Sequence, residues 1–528
     1  MLIGLAGLFC VLVNSCHTLP PPVAPVPSPI RPAPTSGALV EVAAKVRARI
    51  GPSRSGLLSV PGNREALDYR LALIDSARST LDIRIFFWMK DLTGRVLLER
   101  VLQAADRGVR VRLLLDDLVL GLTFTDKELA MIHTHPCVEV RIYNPFFVRG
   151  RLPAHVLEMM IKPAETNQRM HNKSIIADQS LAIISGRNVG DHCFGLGRRY
   201  NLIDLGVMVS GPVVGEICAG FDRYWESEPS YDVAAFYPHR TDLGLDPWRA
   251  KSKAQIIRKN RKLGNRIPIG KQDWSHVLTK LASRMHAGHA RFVEDAPEVP
   301  SPSRPVIDAS LRLAAMARKD LILVTPYIVP DQRMMDLIAK VRMRGVRVRL
   351  LLPSIGSNNH LVVHNQYQKY RKMLLRRGVE IYEFKHRPGQ SALRYLNEAT
   401  RPARKVGLHS KAVVVDTRFC YIGSLNFDGR AMFVNTEEGL IIDSPSLVRD
   451  LRHDVETLMQ PENTWRLTLS RQGDYLWTSA GKVRKREPTL SLFQSVLESV
   501  LRPFSLCSAI FPDQQLFLGF DPSHRDAM

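Results

Sequence analysis

Two short stretches hold residues whose types and spacing suit chemistry. "MHNKSIIAD" places His171, Lys173 and Asp178 in one run, and "LHSKAVVVD" places His409, Lys411 and Asp416 at identical spacing 238 residues later. A histidine and a lysine two residues apart share a face of extended chain. An imidazole titrates near neutral pH and can carry protons or attack an electrophile, and an ammonium beside it suits an anionic substrate. Both runs continue through an apolar strand into a polar cluster, "SGRN" ending at Asn188 and "GSLN" with Ser424 and Asn426.

The elements around these runs are duplicated as well. "RGVRVRLLL" occurs at 107–115 and again, unchanged, at 344–352. Each copy follows a helical pattern ("RVLLERVLQAAD", "QRMMDLIAKVRM"), and each helix follows an apolar strand ("LDIRIFFW", "LILVTPYI"). Strand, helix, Arg-Gly turn and buried strand make a βαβ unit with parallel strands. "VEVRIYNPF" and "VEIYEF" supply a further matching pair of strands. The halves therefore predict two α/β lobes, each with a mixed sheet flanked by helices.

Size and charge agree with an enzyme of anionic substrates. The 528 residues are 45% hydrophobic and 23% charged, enough for two sizeable cores. Lys and Arg total 73 against 51 Asp and Glu, a net charge of +22, which favours anionic lipid, nucleic acid or phosphorylated substrates. Seven scattered cysteines contain no CxxC pair, which argues against a zinc site and a disulfide framework. No metal-ligand cluster is evident, and no cofactor is expected.

HxK, four residues, Asp, six residues and GSxN is identified as the signature of the phospholipase D superfamily. Within it the chain resembles the bacterial cardiolipin synthases, especially the C type, through "HPCVEVRIYNPF", "NVGDHCFG" and "NFDGRAMFVNTEEG". The resemblance implies two phospholipase D-like lobes with the active site between them. It also implies phosphatidyl transfer to phosphatidylglycerol, with phosphatidylethanolamine or phosphatidylglycerol as donor. By analogy His171 attacks phosphorus to form a phosphohistidine, and His409 serves as acid and base; the near-symmetric motifs leave that order open. Lys173, Lys411, Asn188, Asn426 and Ser424 are expected on the phosphate oxygens. Asp178 and Asp416 are expected to orient the imidazoles, each serving the opposite motif. The first motif has Gly186 where the family has Ser, with Ser185 or Arg187 as candidate substitutes. Asn435 and Glu437 match a family NxE feature, either at the pocket or as structural residues. Rival readings are hydrolysis to phosphatidic acid, a metal-independent nuclease, and a catalytically silent membrane-associated protein.

The remaining segments complete the expected organisation. Residues 1–44 hold an apolar, signal-like run with a lipobox-like site at Cys16 and a Pro-rich spacer, which suggests membrane association through a lipid anchor, with an uncleaved apolar anchor or a misassigned start as the alternatives. Lobe 1 is expected over 45–245 (motif 166–193) and lobe 2 over 296–465 (motif 404–431). Between them, 246–295 reads as a basic connector with eight basic residues and no acid from Arg249 to Arg266. A tail covers 466–528, with an amphipathic pattern in "LFQSVLESVLRPF". Phe86 and Phe87 read as core aromatics with an acyl pocket as the alternative, and Asp116 and Asp117 as loop residues. Oligomeric state is left open.

Overall fold

The computed structural model describes residues 32–149, 152–236, 244–270, 272–396 and 403–489. Cys16 and the amphipathic "LFQSVLESVLRPF" lie outside them.

The first half contributes β1 (Ser55–Ser59), β2 (Thr80–Ile85), β3 (Arg110–Asp116), β4 (Val138–Tyr143), β5 (Ser174–Ala177), β6 (Leu181–Ser185), β7 (Tyr200–Ile203), β8 (Gly206–Ser210) and β9 (Ser230–Asp232). The second contributes β10 (His286–Glu294), β11 (Asp320–Val324), β12 (Arg347–Pro353), β13 (Glu380–Phe384), β14 (Lys405–Leu408), β15 (Ala412–Val415), β16 (Phe419–Gly423), β17 (Glu438–Asp443), β18 (Thr464–Leu469), β19 (Tyr475–Ser479) and β20 (Lys482–Arg484). Eighteen of these hydrogen-bond into one continuous mixed sheet. Its order runs β9-β4-β3-β2-β5-β6-β8-β1, crosses to β10, and continues β17-β16-β15-β11-β12-β13-β18-β19-β20. The duplication is visible in that order, because β1 and β10 pair antiparallel at the centre and each begins the same succession outward. Only β2-β3-β4 and β11-β12-β13 are parallel within this sheet, as the repeated βαβ unit requires.

The repeated nonapeptide has a structural use. Gly108 and Gly345 sit at φ +88° and +79°, the turn from helix to strand that favours glycine. Arg107 and Arg344 donate to backbone carbonyls at the ends of preceding helices, Ile74 and Asp75 in one half, Ala315 and Ala317 in the other. Arg112 grips Asp82 with two nitrogens at 2.6 and 2.9 Å, and Arg349 likewise pairs with Asp320. Charges along these strands are thus paired rather than reserved for a ligand.

The expected boundaries shift in three places. A helix at Ala38–Ile50 begins inside the segment read as linker, because Leu39, Val42, Val46 and Ile50 form a buried stripe. The connector ends in β10, which is a central strand of the sheet. Strands β18 to β20 continue the sheet past residue 465. The basic helix Leu245–Lys262 packs by one stripe, Arg249, Ser252, Ile256 and Asn260, with Arg249 held by Glu99 and Asp106. Its other basic residues include exposed Lys251, Lys253, Arg258 and Lys262.

Candidate active site

Two short parallel pairings bring the halves of the site together. Strand β14 pairs with β7 in register Leu408↔Ile203, and the His409 amide donates to Ile203 O at 2.7 Å. The next residue on each strand then meets across the pairing: His409 Nδ1 lies 2.6 Å from Asp204 Oδ2. The other half repeats this. Met170 bridges Thr436 in parallel, and the His171 amide donates to Thr436 O at 2.9 Å. His171 Nδ1 lies 2.9 Å from Glu437 Oε2. Each imidazole is therefore held through its Nδ1 by a carboxylate from the opposite half.

This corrects the expectation for Asp178 and Asp416. Asp178, at φ +52°, accepts from the amides of Arg78, Ser79 and Thr80, at 2.7 to 3.1 Å. Asp416, at φ +51°, does the same for Arg318, Lys319 and Asp320. Both sit at the far end of the strand that follows the histidine, where they cap the loop entering β2 or β11. Burial pushes the Asp416 carboxyl up, but the three amides hold it below its ordinary value. The crossed arrangement was anticipated; the residues carrying it are Asp204 and Glu437.

Asp204 was missed from the sequence, although a signal existed. "DLGVMV" from Asp204 aligns with "EEGLII" from Glu437, since β8 and β17 occupy matching places. Gly186 now has a reason. A Cβ there would lie 2.5 Å from Asp204 Oδ1, so the position must be glycine for the carboxylate to reach His409. At the matching position Ser424 donates to Glu437 and accepts from the Glu438 amide at 2.9 Å. Its hydroxyl is committed to the carboxylate, not free for phosphate. Ser185 Oγ accepts from Arg70 and from the Arg187 amide, and Arg187 is turned to the carbonyls of Val60, Pro61 and Asp204. Neither replaces the missing serine.

His171, Lys173, His409 and Lys411 are all nearly fully buried. Lys173 Nζ donates to His171 O, and Lys411 Nζ to His409 O at 2.6 Å. Lys411 Nζ also lies within 2.9 and 3.1 Å of the two ring nitrogens of His409. Burial lowers Lys173 to about 7, with Glu437 opposing, and lowers Lys411 to about 8, with Asp204 opposing. Burial, then Lys173 and Lys411, press His171 well below its ordinary value. Burial and Lys411 bring His409 to about 4. Each histidine feels the lysine of the other motif, so the four groups act electrostatically as one site. The carboxylates differ: burial raises Glu437 despite Lys173, whereas Lys411 and His409 outweigh burial at Asp204 and hold it at about 2.

The surrounding residues fix these loops. Asn188 Oδ1 accepts from the Phe87 amide, and Asn426 Oδ1 is buried without a protein partner. Asn435 accepts from Arg430 and shapes the turn before Glu437. Asp116 accepts from the Met170 amide at 2.8 Å, directly before His171, and Asp117 accepts from Phe146 and Arg149; both act in loops. Glu438 holds the Lys173 amide and pairs with buried Arg84, which also reaches Glu294. Phe86 and Phe87 are buried as expected for core aromatics, yet Phe86 stands edge-on to His171, centroids 4.9 Å apart. Among the described residues no cluster of His, Cys, Asp or Glu converges to hold a metal ion, and no helix is long and apolar enough to cross a membrane.

Known proteins resemble this chain in sequence and fold. The family described as "Cardiolipin synthase, PLD-like domain" matches residues 71–225 and 311–459, one block in each half. The chain belongs to that family and is a phospholipid-modifying enzyme of the phospholipase D superfamily. Cardiolipin synthase C of Escherichia coli K12 is 31% identical over 462 residues, 84% of this chain and 94% of the relative. Cardiolipin synthase B of the same strain is 25% identical over 404 residues, 74% and 80% of the two chains. The crystal structure of phosphatidylserine synthase from Haemophilus influenzae shares the fold with a TM-score of 0.55 at 13% identity, covering 89% of this chain and 98% of that one.

Proposed function

We propose that this enzyme transfers a phosphatidyl group to phosphatidylglycerol through a phosphohistidine, taking it from phosphatidylethanolamine or a second phosphatidylglycerol. The observation that carries the proposal is the crossed pair of imidazole–carboxylate contacts closed around two lysines. His171 Nε2 attacks phosphorus; the P–N bond forms, the P–O bond to the leaving alcohol breaks, and His409 gives that oxygen its proton. The acceptor hydroxyl then loses its proton to His409, attacks phosphorus and releases His171. Lys173, Lys411, Asn188 and Asn426 steady the phosphoryl oxygens.

The unequal carboxylates support this order. Asp204 is held ionised and favours an imidazolium at His409, which suits the group that must gain and lose a proton. His171 faces a carboxyl that burial drives toward its neutral form, so its ring stays neutral and nucleophilic. The site is crowded with cationic groups, and an arriving phosphodiester anion raises the proton affinity of both histidines. The relatives named cardiolipin synthase support the choice of lipid. The net charge of +22 and the lipobox-like Cys16 support work at an anionic bacterial membrane.

The test incubates the purified chain with labelled phosphatidylglycerol and phosphatidylethanolamine, with plasmid DNA in parallel. Cardiolipin should form and fall by about a thousandfold or more in both His171→Ala and His409→Ala. Given a donor with a good leaving group, the His409→Ala protein should accumulate a labelled adduct on His171. Phosphatidic acid as sole product replaces transfer by hydrolysis, and nicked DNA with unchanged lipid rejects the lipid reading.

A further inference from the structure

The two halves differ in what lies beyond the catalytic histidines. In the first, Phe86, Phe87, Leu118, Val119, Phe146 and Met159 form one apolar cluster separate from the main cores. Its inner end touches the site: Phe86 meets the His171 ring, and Lys173 Nζ lies 5.1 Å from the Phe86 centroid. Its outer end is the segment that follows β4, comprising a loop at 144–149 and the helix Leu152–Ile161. That segment carries Phe147, Met160 and Ile161 at 48%, 60% and 59% exposure, beside exposed Lys162.

The segment is built to hold this shape. His155 stacks on Phe146 at 4.2 Å, and Arg169 covers the same ring. Glu158 accepts from the amides of Phe147 and Val148, which fastens the loop to the helix. Met159 points into the cluster while the next two residues stay in solvent. In the second half, the loop after β13 is "KHRPGQSALRYLNEATRPAR", and its described residues expose no large apolar side chain. After β12 the second half runs Ser354, Ile355, Gly356, Ser357, Asn358 and Asn359, so a buried Ile355 matches Leu118, Gly356 replaces Val119, and polar residues flank them. Solvent-exposed apolar side chains continuous with a buried apolar path to a reacting group fit an interface with lipid rather than with water.

We infer that Phe147, Met160 and Ile161 insert into a phospholipid bilayer, and that the cluster behind them carries the acyl chains of the lipid to His171. This rests on the phosphatidyl-transfer reading, and it adds a direction. The acyl chains leave the site past the first half, and the polar residues beyond β12 face the hydrophilic part of the substrates. Lys162, at the end of the helix, meets the phosphate layer.

Two measurements test it on the full chain. In vesicles of phosphatidylethanolamine and phosphatidylglycerol with brominated acyl chains, the emission added by Met160→Trp should be quenched; emission unchanged from buffer overturns docking, whether or not the protein turns over lipid. The triple variant Phe147→Glu, Met160→Glu, Ile161→Glu should lose about tenfold or more activity on vesicles yet change less than about threefold on monomeric short-chain phospholipid. Equal effects on both substrates overturn the inference. If the unmodified chain transfers phosphatidyl groups on neither substrate, the functional reading fails, and the quenching result still decides whether the segment enters the bilayer.

Discussion

The two halves of the molecule use the same loop to build unequal supports for their histidines. In the first, glycine at position 186 leaves room for a short carboxylate, Asp204, that reaches across to His409. In the second, Ser424 backs a longer carboxylate, Glu437, that reaches across to His171. The first arrangement leaves an ionised acid between Lys411 and Arg187; the second leaves a deeply buried acid with a hydroxyl donor. A second asymmetry lies beneath: β2 contributes Arg84 to the buried network with Glu294 and Glu438, where β11 has Val324. The duplication preserved geometry while letting electrostatics diverge, and on the proposed mechanism the divergence separates a nucleophile from a proton carrier.

Substituting the carboxylates breaks the comparison most severely. Asp204→Asn should lower kcat by roughly a hundred- to a thousandfold, as loss of an orienting carboxylate does in other histidine sites, whereas Glu437→Gln, which mimics a neutral carboxyl, should cost about tenfold. Asp204→Asn should mainly slow steps that need a protonated His409, so a donor with a good leaving group should restore adduct formation. Equal rescue in both variants would show that the supports are interchangeable.

Exchange at the loop should follow. Gly186→Ser should cost about ten- to a hundredfold in kcat/KM, because the new Cβ drives Asp204 away from His409. Ser424→Gly only removes a donor from Glu437 and should cost about tenfold or less. A reversed ranking, read from steady-state kinetics, would discard the steric account of Gly186.

Asp178→Asn and Asp416→Asn should act on the fold. Each removes a carboxylate serving three amides, so about 1–3 kcal/mol of stability should go, seen by denaturant unfolding. The folded fraction should keep kcat within about tenfold. A thousandfold loss in a well-folded variant would return these aspartates to the chemistry.

A further effect, on stability alone, is in pH dependence. His409 titrates at about 4 in the fold against about 6.5 in an unfolded chain, so the unfolded state binds more protons between those values. Stability therefore falls as pH drops through 6.5 toward 4, by about 3 kcal/mol from this group. Lys411, at about 8 against 10.5, adds a similar loss between pH 10.5 and 8. Phosphate or tungstate favours the protonated groups, so the rise in Tm they cause should grow from pH 9 to pH 6. A Tm increment independent of pH would contradict the cation-crowded site.

Much of this could be read from residue order. The repeated nonapeptide gave the βαβ units because helix, glycine turn and apolar strand are local patterns. The spacing of His and Lys gave the site because two copies in register are hard to produce by accident. The two residues do not lie in a strand, however; they precede β5 and β15 in extended chain. Glu437 was singled out through the NxE feature without its partner, and Asp204 was missed, because the contacts they make with His171 and His409 depend on pairing between halves more than 200 residues apart. Asp178 and Asp416 were misplaced for the converse reason: proximity in sequence to a histidine becomes distance once a strand separates them. Arg84, Glu294 and Glu438 read as ordinary strand residues until β2 and β17 are brought together.

The crossed strand pairings also bear on how such a molecule can be divided. A half on its own would hold a histidine and lysine with no acid behind the ring, since the acid it carries belongs to its neighbour. Neither half can misfire alone, and two identical halves would have to associate before either worked. Joining them in one chain removes the need for the copies to match. On the proposed mechanism it lets one drift toward attacking phosphorus and the other toward ferrying protons, while every active molecule still contains one of each.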